Sequence, residues 1–123
     1  MELVARFSAE VVAALELDID PETPIYIGES NVAHMQSRHP EAYNKYGSQI
    51  ALILKTPDYV AVNRKDGSIE FVKEFAASEA GSEYVKAAVR VSGAGRFYAR
   101  SLYVLNSGRV ARFIAHGTLK KIC

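Results

Sequence analysis

Residues 84–92, YVKAAVRVS, decide the fold because apolar side chains occupy every second position. One face of the predicted strand is wholly apolar and carries Val85, Ala87, Val89 and Val91. The opposite face carries Tyr84, Lys86, Ala88 and Arg90. A period of two is typical of a strand that packs one face on a core. The sequence therefore predicts a sheet whose second face presents cations.

Three further segments predict strands next to this one. Residues 93–95, GAG, predict a turn, and residues 97–105, FYARSLYVL, predict the strand that follows it. On the N-terminal side, residues 64–67, RKDG, are a hairpin turn signal between strands at 59–63 and 68–75. Four strands joined by turns in chain order predict an antiparallel meander.

The N-terminal half has mainly helical spacing. Ser8 is the predicted N-cap of a helix that ends near residue 17. Residues 25–27, IYI, predict a short apolar strand, and Ser30 or Asn31 is the predicted cap of a second helix that continues to about residue 38.

Prolines set the limits of a third predicted helix. Pro40 suits the first turn of a helix, and Pro57 ends it. Residues 110–114 return to helical spacing, with Gly117 as the predicted C-cap. The predicted fold is therefore α+β: N-terminal helices packed on a four-stranded antiparallel meander sheet, followed by a short C-terminal helix.

Length and composition exclude several classes of protein. The 123 residues are enough for one domain, and no apolar run approaches the roughly 20 residues of a membrane span. The N-terminal sequence MELVARFSAE does not resemble a secretory signal. The one cysteine, Cys123, permits no internal disulfide. We expect a cytoplasmic protein with no membrane partner.

Charge is distributed unevenly along the chain, although the formal net charge is only +1. Residues 1–29 hold seven acids and one base, whereas residues 84–123 hold eight bases and no acid. This asymmetry favours an anionic partner for the basic end. The alternative is that the two ends of the chain neutralise each other in the fold.

Candidate site residues form two groups. The helical half supplies His34 and His39, in the run HMQSRHP. The sheet supplies Lys86, Arg90, Tyr98, Arg100, Ser101 and Tyr103. Cations bind phosphates and tyrosine rings stack on unpaired bases, so this sheet face predicts an RNA-binding surface. The alternative is an ordinary solvated face.

The two histidines do not form a recognisable metal motif. They are five residues apart, which is about 140° around an ideal helix, and no carboxylate lies between them. We therefore predict neither a metal site nor a cofactor. Structural roles are the alternative for both: His39-Pro40 as a capping pair and His34 as a core residue.

The order of these motifs resembles the phage-associated branch of the barnase/EndoU/colicin/RelE-like ribonuclease superfamily. The resemblance rests on His34 with His39-Pro40, on ILKTPDYV at residues 53–60, and on RSLY at residues 100–103. It spans about residues 25–121. Residues 1–123 are then one ribonuclease-like domain, in which residues 1–24 are an acidic N-terminal helix and connector.

This resemblance implies metal-independent RNA cleavage. A base removes the 2′-hydroxyl proton, and that oxygen attacks phosphorus and expels the 5′-oxygen, leaving a 2′,3′-cyclic phosphate. His39 is the first candidate for acid or base and His34 the second, because imidazole suits proton transfer near neutral pH. The other implied site residues are Arg90 and Arg100, which hold the phosphate, and Ser101 and Tyr103, which orient it.

One feature of the sequence opposes this arrangement. Arg100 and Ser101 are neighbours in a predicted strand, so their side chains point to opposite faces unless a bulge intervenes.

The leading hypothesis is a small ribonuclease, an effector or toxin of a phage or mobile element, that acts on tRNA or mRNA. An immunity or antitoxin protein is a candidate partner. The alternatives are a non-catalytic RNA-binding module and a protein-binding inhibitor or accessory module on the same scaffold.

Overall fold

The computed structural model describes residues 1–77 and 81–122, so Cys123 lies outside the described residues. The strands are β1 (Glu2–Arg6), β2 (Pro24–Ile27), β3 (Tyr59–Val62), β4 (Ile69–Ala77), β5 (Gly81–Val91), β6 (Phe97–Leu105) and β7 (Lys120–Lys121). The α-helices are α1 (Ala9–Leu15), α2 (Glu29–Arg38), α3 (Pro40–Tyr46), α4 (Ile50–Lys55) and α5 (Ser107–Ala115).

The described strands form one sheet in the spatial order β1-β2-β6-β5-β4-β3-β7. Only β2 and β6 are parallel neighbours, and the other neighbouring pairs are antiparallel. The predicted α+β class is confirmed. The predicted four-stranded sheet is wrong, because β3 to β6 form only the middle of a seven-stranded sheet.

Strand β1, like the two-residue strand β7, was not indicated by the sequence pattern. Residues 2–6, expected in an acidic helix and connector, pair antiparallel with β2 at the edge of the sheet. This strand has only five residues, and Leu3 is exposed while Val4 and Ala5 are half-buried. A short edge strand of this kind lacks the full alternation of a buried strand.

The helix limits agree with the predictions at the start of α1 and differ from them at the start of α2. Ser8 caps α1 as predicted, since its hydroxyl accepts a hydrogen bond from the Val11 N–H at 3.2 Å. Helix α2 is capped by Gly28 rather than by Ser30 or Asn31, and the Asn31 side chain accepts from the Gly28 N–H at 2.8 Å.

The predicted third helix is divided by a 3-10 turn at Gly47–Gln49, which separates α3 from α4. Glycine and serine in this turn lower the helix propensity of the chain. At the other end of the chain, α5 has His116 as its C-cap, and the predicted cap Gly117 follows it with a φ of +74°.

The core lies between one face of the sheet and the N-terminal helices. Its fully buried large side chains include Phe7, Val11, Ile25, Met35, Ile53, Leu54 and Phe71. The apolar face of β5, predicted from the alternation, joins this core through Val85, Ala87 and Val89. The predicted core face is therefore confirmed at these three residues, whereas the fourth, Val91, is 55% exposed at the end of the strand and lies outside the core.

The opposite face of the sheet is covered at one end by α5. Val110 of α5 packs with Val72, Leu119 and the half-buried Tyr84 and Leu105. The rest of this face carries Lys86, Ala88 and Arg90 from β5 and Tyr98, Ser101 and Tyr103 from β6, and we call it the open face. No helix in the described part of the chain is long and apolar enough to cross a membrane.

Phe7 joins β1 to the core and provides a test of this fold. Its side chain is fully buried, and its ring centroid lies 5.9 Å from that of Phe71 and 5.0 Å from that of Phe97. We expect Phe7→Ala to lower the free energy of unfolding by about 3–5 kcal/mol, measured by urea denaturation. Leu3→Ala in the same segment is the control, because Leu3 is 47% exposed. Equal losses in the two variants would contradict this packing.

Candidate functional site

A β-bulge in β6 resolves the conflict between Arg100 and Ser101. Ala88 of β5 lies opposite Ser101, and Val89 lies opposite Ala99, so that Arg100 is an extra residue in β6. A bulge changes the direction of the side chains around it. Ser101 therefore faces the same side as Ala88, while Arg100 lines a cavity together with Arg90 of the open face.

This first cavity has a volume of about 400 Å³ and lies at the N-terminal end of α2. Its lining residues include Ser30, Asn31, Arg90, Ser92, Tyr98 and Arg100. None of the described residues that line it is acidic. Three residues expected to bind RNA or phosphate, Arg90, Tyr98 and Arg100, are thus brought together.

A second cavity, of about 430 Å³, lies at the C-terminal end of α2. The helices supply Arg38, His39, Pro40, Glu41 and Ala42 to its lining, and β6 supplies Tyr103 and Val104. The first and second cavities therefore lie at opposite ends of the same ten-residue helix.

His39 lies where α2 ends and α3 begins. Its φ of −141° and ψ of 66° are not helical, as expected for a residue that precedes a proline. The angle of 140° between His34 and His39, which assumes one continuous ideal helix, therefore does not apply. The His39 ring stacks on Tyr103, with centroids 5.0 Å apart and an interplanar angle of 28°.

Tyr103 also contacts a buried ion pair. The Lys86 Nζ lies 4.6 Å from the Tyr103 ring centroid and donates to Glu70 Oε2 at 2.8 Å. The Asn63 amide donates to the same carboxylate oxygen at 3.3 Å. The side chains of Lys86 and Glu70 are each only 13% exposed. The ammonium group of Lys86, expected to bind RNA, is therefore engaged within the protein.

The charge state of Lys86 follows from these contacts. Burial alone would lower the pKa of Lys86, but the hydrogen bond with Glu70 and the proximity of Tyr103 outweigh it and raise the pKa above 10.5. Lys86 is consequently a fixed cation at neutral pH and not a base. Its geometry positions the Tyr103 ring on which His39 stacks.

His34 and Ser101 occupy the region between the two cavities. Asn31, His34 and Arg38 share one side of α2, because residues three or four apart lie on the same helix face. His34 is exposed and lines neither cavity. Ser101 is half-buried on β6, between Tyr98 and Tyr103 on the open face.

Arg38 and Glu70 were missed as site residues. Arg38 directly precedes His39, and this proximity in the sequence was a usable signal. Glu70 gave no such signal, because its approach to Lys86 depends on the register of β4 against β5. No cluster of three or more His, Cys, Asp or Glu side chains suited to a metal ion occurs within residues 1–77 and 81–122.

Comparison with known protein families supports a nuclease. The family model described as phage-Barnase-EndoU-ColicinE5/D-RelE like nuclease3 (PBECR3) matches residues 2–112. The chain belongs to this nuclease family. The PBECR3 match begins at residue 2 rather than residue 25, so it includes β1, and it contains the lining residues of both cavities except Met1. No curated protein and no solved structure shows a significant match to the chain.

The buried ion pair gives a first prediction for this site. We expect Glu70→Gln to lower the free energy of unfolding by about 3 kcal/mol, because it leaves the Lys86 charge buried without its partner. Glu74→Gln, an exposed carboxylate in the same strand, should change stability by less than about 0.5 kcal/mol. The double variant Glu70→Gln/Lys86→Met should regain most of the loss. Denaturant titration measures all three, and equal values for Glu70→Gln and Glu74→Gln would contradict the ion pair.

The raised pKa of Lys86 gives a second prediction, on pH. A cation with a higher pKa in the folded than in the unfolded state contributes stability in full below the unfolded pKa, and this contribution is lost as the pH rises through the folded value. The stability difference between wild type and Lys86→Met should therefore stay constant from pH 8 to near 10.5 and decrease above it. Unfolding titrations across this range measure it, and a decrease that is complete below pH 10 would contradict the assignment.

Proposed function

We propose that the protein is a metal-independent endoribonuclease that cleaves RNA through a 2′,3′-cyclic phosphate. One observation carries the proposal: His39 lines an open cavity beside Arg38, and its ring is held by stacking on Tyr103. A proton-transfer group, a cation and an open space for substrate are the elements that this reaction needs. Membership of a nuclease family supports the same reaction class.

Two proton transfers accompany the reaction, and histidines are our candidates for both. The 2′-hydroxyl loses a proton as its oxygen attacks phosphorus, and the departing 5′-oxygen gains one. His39 is the first candidate, and His34, one helical turn before Arg38, is the second. Glu70 is a poor candidate because its carboxylate is already bonded to Lys86 and Asn63.

Arg38 is the cation best placed for the charge that develops on phosphorus. Its side chain is exposed and lines the second cavity with His39. A guanidinium group offers paired donors that match phosphate oxygens. Lys86 acts indirectly, since its ammonium holds Tyr103 and Glu70 rather than facing the cavity.

The setting of this activity is part of the proposal. The family is phage-associated by its description, and residues 84–123 carry eight basic residues and no acid. We propose an effector or toxin of a phage or mobile element that cleaves tRNA or mRNA in the cytoplasm. An immunity or antitoxin protein would bind over the open face and exclude RNA.

A non-catalytic RNA-binding module is the second candidate function. It is favoured by one observation: of the two histidines, only His39 lines a described cavity. Such a module would bind RNA with strong salt dependence and would leave it intact.

Cleavage without metal separates the two candidates. In EDTA, the purified protein should cut tRNA or mRNA and leave ends that carry a cyclic phosphate, detected by 3′-end analysis after a denaturing gel. We expect His39→Ala to lower the rate by about 10²–10⁴, the usual contribution of a proton-transfer group. His116→Ala is the control, because His116 follows α5 and lines neither cavity.

Outcomes of this experiment are decisive. Full activity in folded His39→Ala would remove His39 from the reaction, and intact RNA with salt-dependent binding would favour the second function. An RNA with sulfur in place of the scissile 5′-oxygen assigns the roles, because a thiolate leaves without protonation. His39→Ala and His34→Ala are both assayed on this RNA. The variant that regains cleavage lacks the general acid, and the variant that stays inactive lacks the general base.

A further inference from the structure

The first cavity has no part in the reaction described above, which takes place at the other end of α2. We propose that it is a separate phosphate subsite, which binds the backbone phosphate of a nucleotide next to the cleaved one. The proposal rests on the proposed function for the position of the scissile phosphate. It reassigns Arg90 and Arg100, which the family resemblance implied for the scissile phosphate itself.

Two arginines converge on this cavity from neighbouring strands. Arg90 lies opposite Tyr98, and Arg100, two residues beyond Tyr98 in β6, returns to the same face by strand alternation. Arg90, Arg100 and the Tyr98 side chain therefore line the same space. Two guanidinium groups with hydroxyl neighbours are the donor set that binds phosphate oxygens in proteins.

The charges of these arginines are available to a ligand. Among the described residues, neither Arg90 nor Arg100 forms an ion pair. The pKa of Asp66 is lowered mainly by the hydrogen bonds that its carboxylate accepts from Ser68. The positive charge of Arg90 makes a smaller contribution. The Asp66 carboxylate lies 2.9 Å from the Ser68 nitrogen and is engaged there.

The spacing of the cavities excludes a shared phosphate. Asn31 lines the first cavity and Arg38 lines the second, and the helical rise places them about 10 Å apart along α2. Hydrogen bonds to phosphate are about 2.7–2.9 Å long, so one phosphate group does not contact both linings. A chain of nucleotides can contact both linings, because it carries one phosphate between each pair of neighbouring nucleosides.

Substrates with different numbers of phosphates test the subsite. A dinucleoside monophosphate has only the scissile phosphate, whereas trinucleotides extended on the 5′ or the 3′ side have one more. We expect one of the two trinucleotides to have a kcat/KM about tenfold or more above that of the dinucleotide. In Arg90→Ala/Arg100→Ala this ratio should fall to near one.

A matched variant controls for charge alone. Arg109→Ala/Arg112→Ala removes the same two charges from exposed arginines of α5, which line neither cavity. It should retain the wild-type ratio. Equal ratios in the two double variants would overturn the proposal, and so would a loss for Arg90→Ala/Arg100→Ala that is as large on the dinucleotide as on the trinucleotide.

Binding of uncleavable analogues separates this proposal from the nuclease proposal. The same oligonucleotides with a 2′-deoxy sugar at the cleavage site lack the nucleophile, and their affinities are measured by fluorescence anisotropy. About tenfold tighter binding of one trinucleotide, lost in Arg90→Ala/Arg100→Ala, supports the subsite even if no RNA is cleaved. Cleavage without any gain in rate or affinity from the added phosphate overturns the subsite and leaves the nuclease intact.

Discussion

The limited pairing of β2 with β6 determines the layout of the site. β2 pairs only with Phe97 and Tyr98, so in the described structure the remainder of β6 has no strand on that side. The chain leaves the sheet at Gly28, and α2 runs beside the free part of β6. A ten-residue helix is about 15 Å long, which leaves one cavity at its start and one at its end.

A proline and a buried ion pair together orient the histidine at the second cavity. Pro40 excludes helical geometry at His39 and so turns its ring away from α2 and onto Tyr103. Tyr103 is in turn fixed by the Lys86 ammonium, which Glu70 neutralises in a largely buried setting. The position of an exposed imidazole thus depends on charges that the solvent hardly reaches.

The long elements were predictable from the sequence, and the local irregularities were not. β6 occupies the predicted residues because a nine-residue run rich in aromatic and aliphatic side chains after a glycine turn is a strong strand signal, whereas β1 is a short edge strand. The sequence showed that Arg100 and Ser101 can share a face only if a bulge intervenes, but whether a bulge forms depends on the pairing with β5. Glu70 likewise gains its role only from the register between β4 and β5. His34 and His39 were identified as residues, but their separation was misjudged because a helical wheel does not continue through a proline junction.

Helix α2 has a consequence beyond holding residues in place, because its length sets the distance between the two cavities. Each residue added to a helix lengthens it by about 1.5 Å and rotates its far end by about 100°. Adding or removing one or two residues in α2 would therefore rotate Arg38 and His39 away from Tyr103, while the distance between the two cavities would change only slightly. We therefore expect the distance between the cavities to change in steps of about one helical turn. Related nucleases with this arrangement would differ in that distance by whole turns of α2.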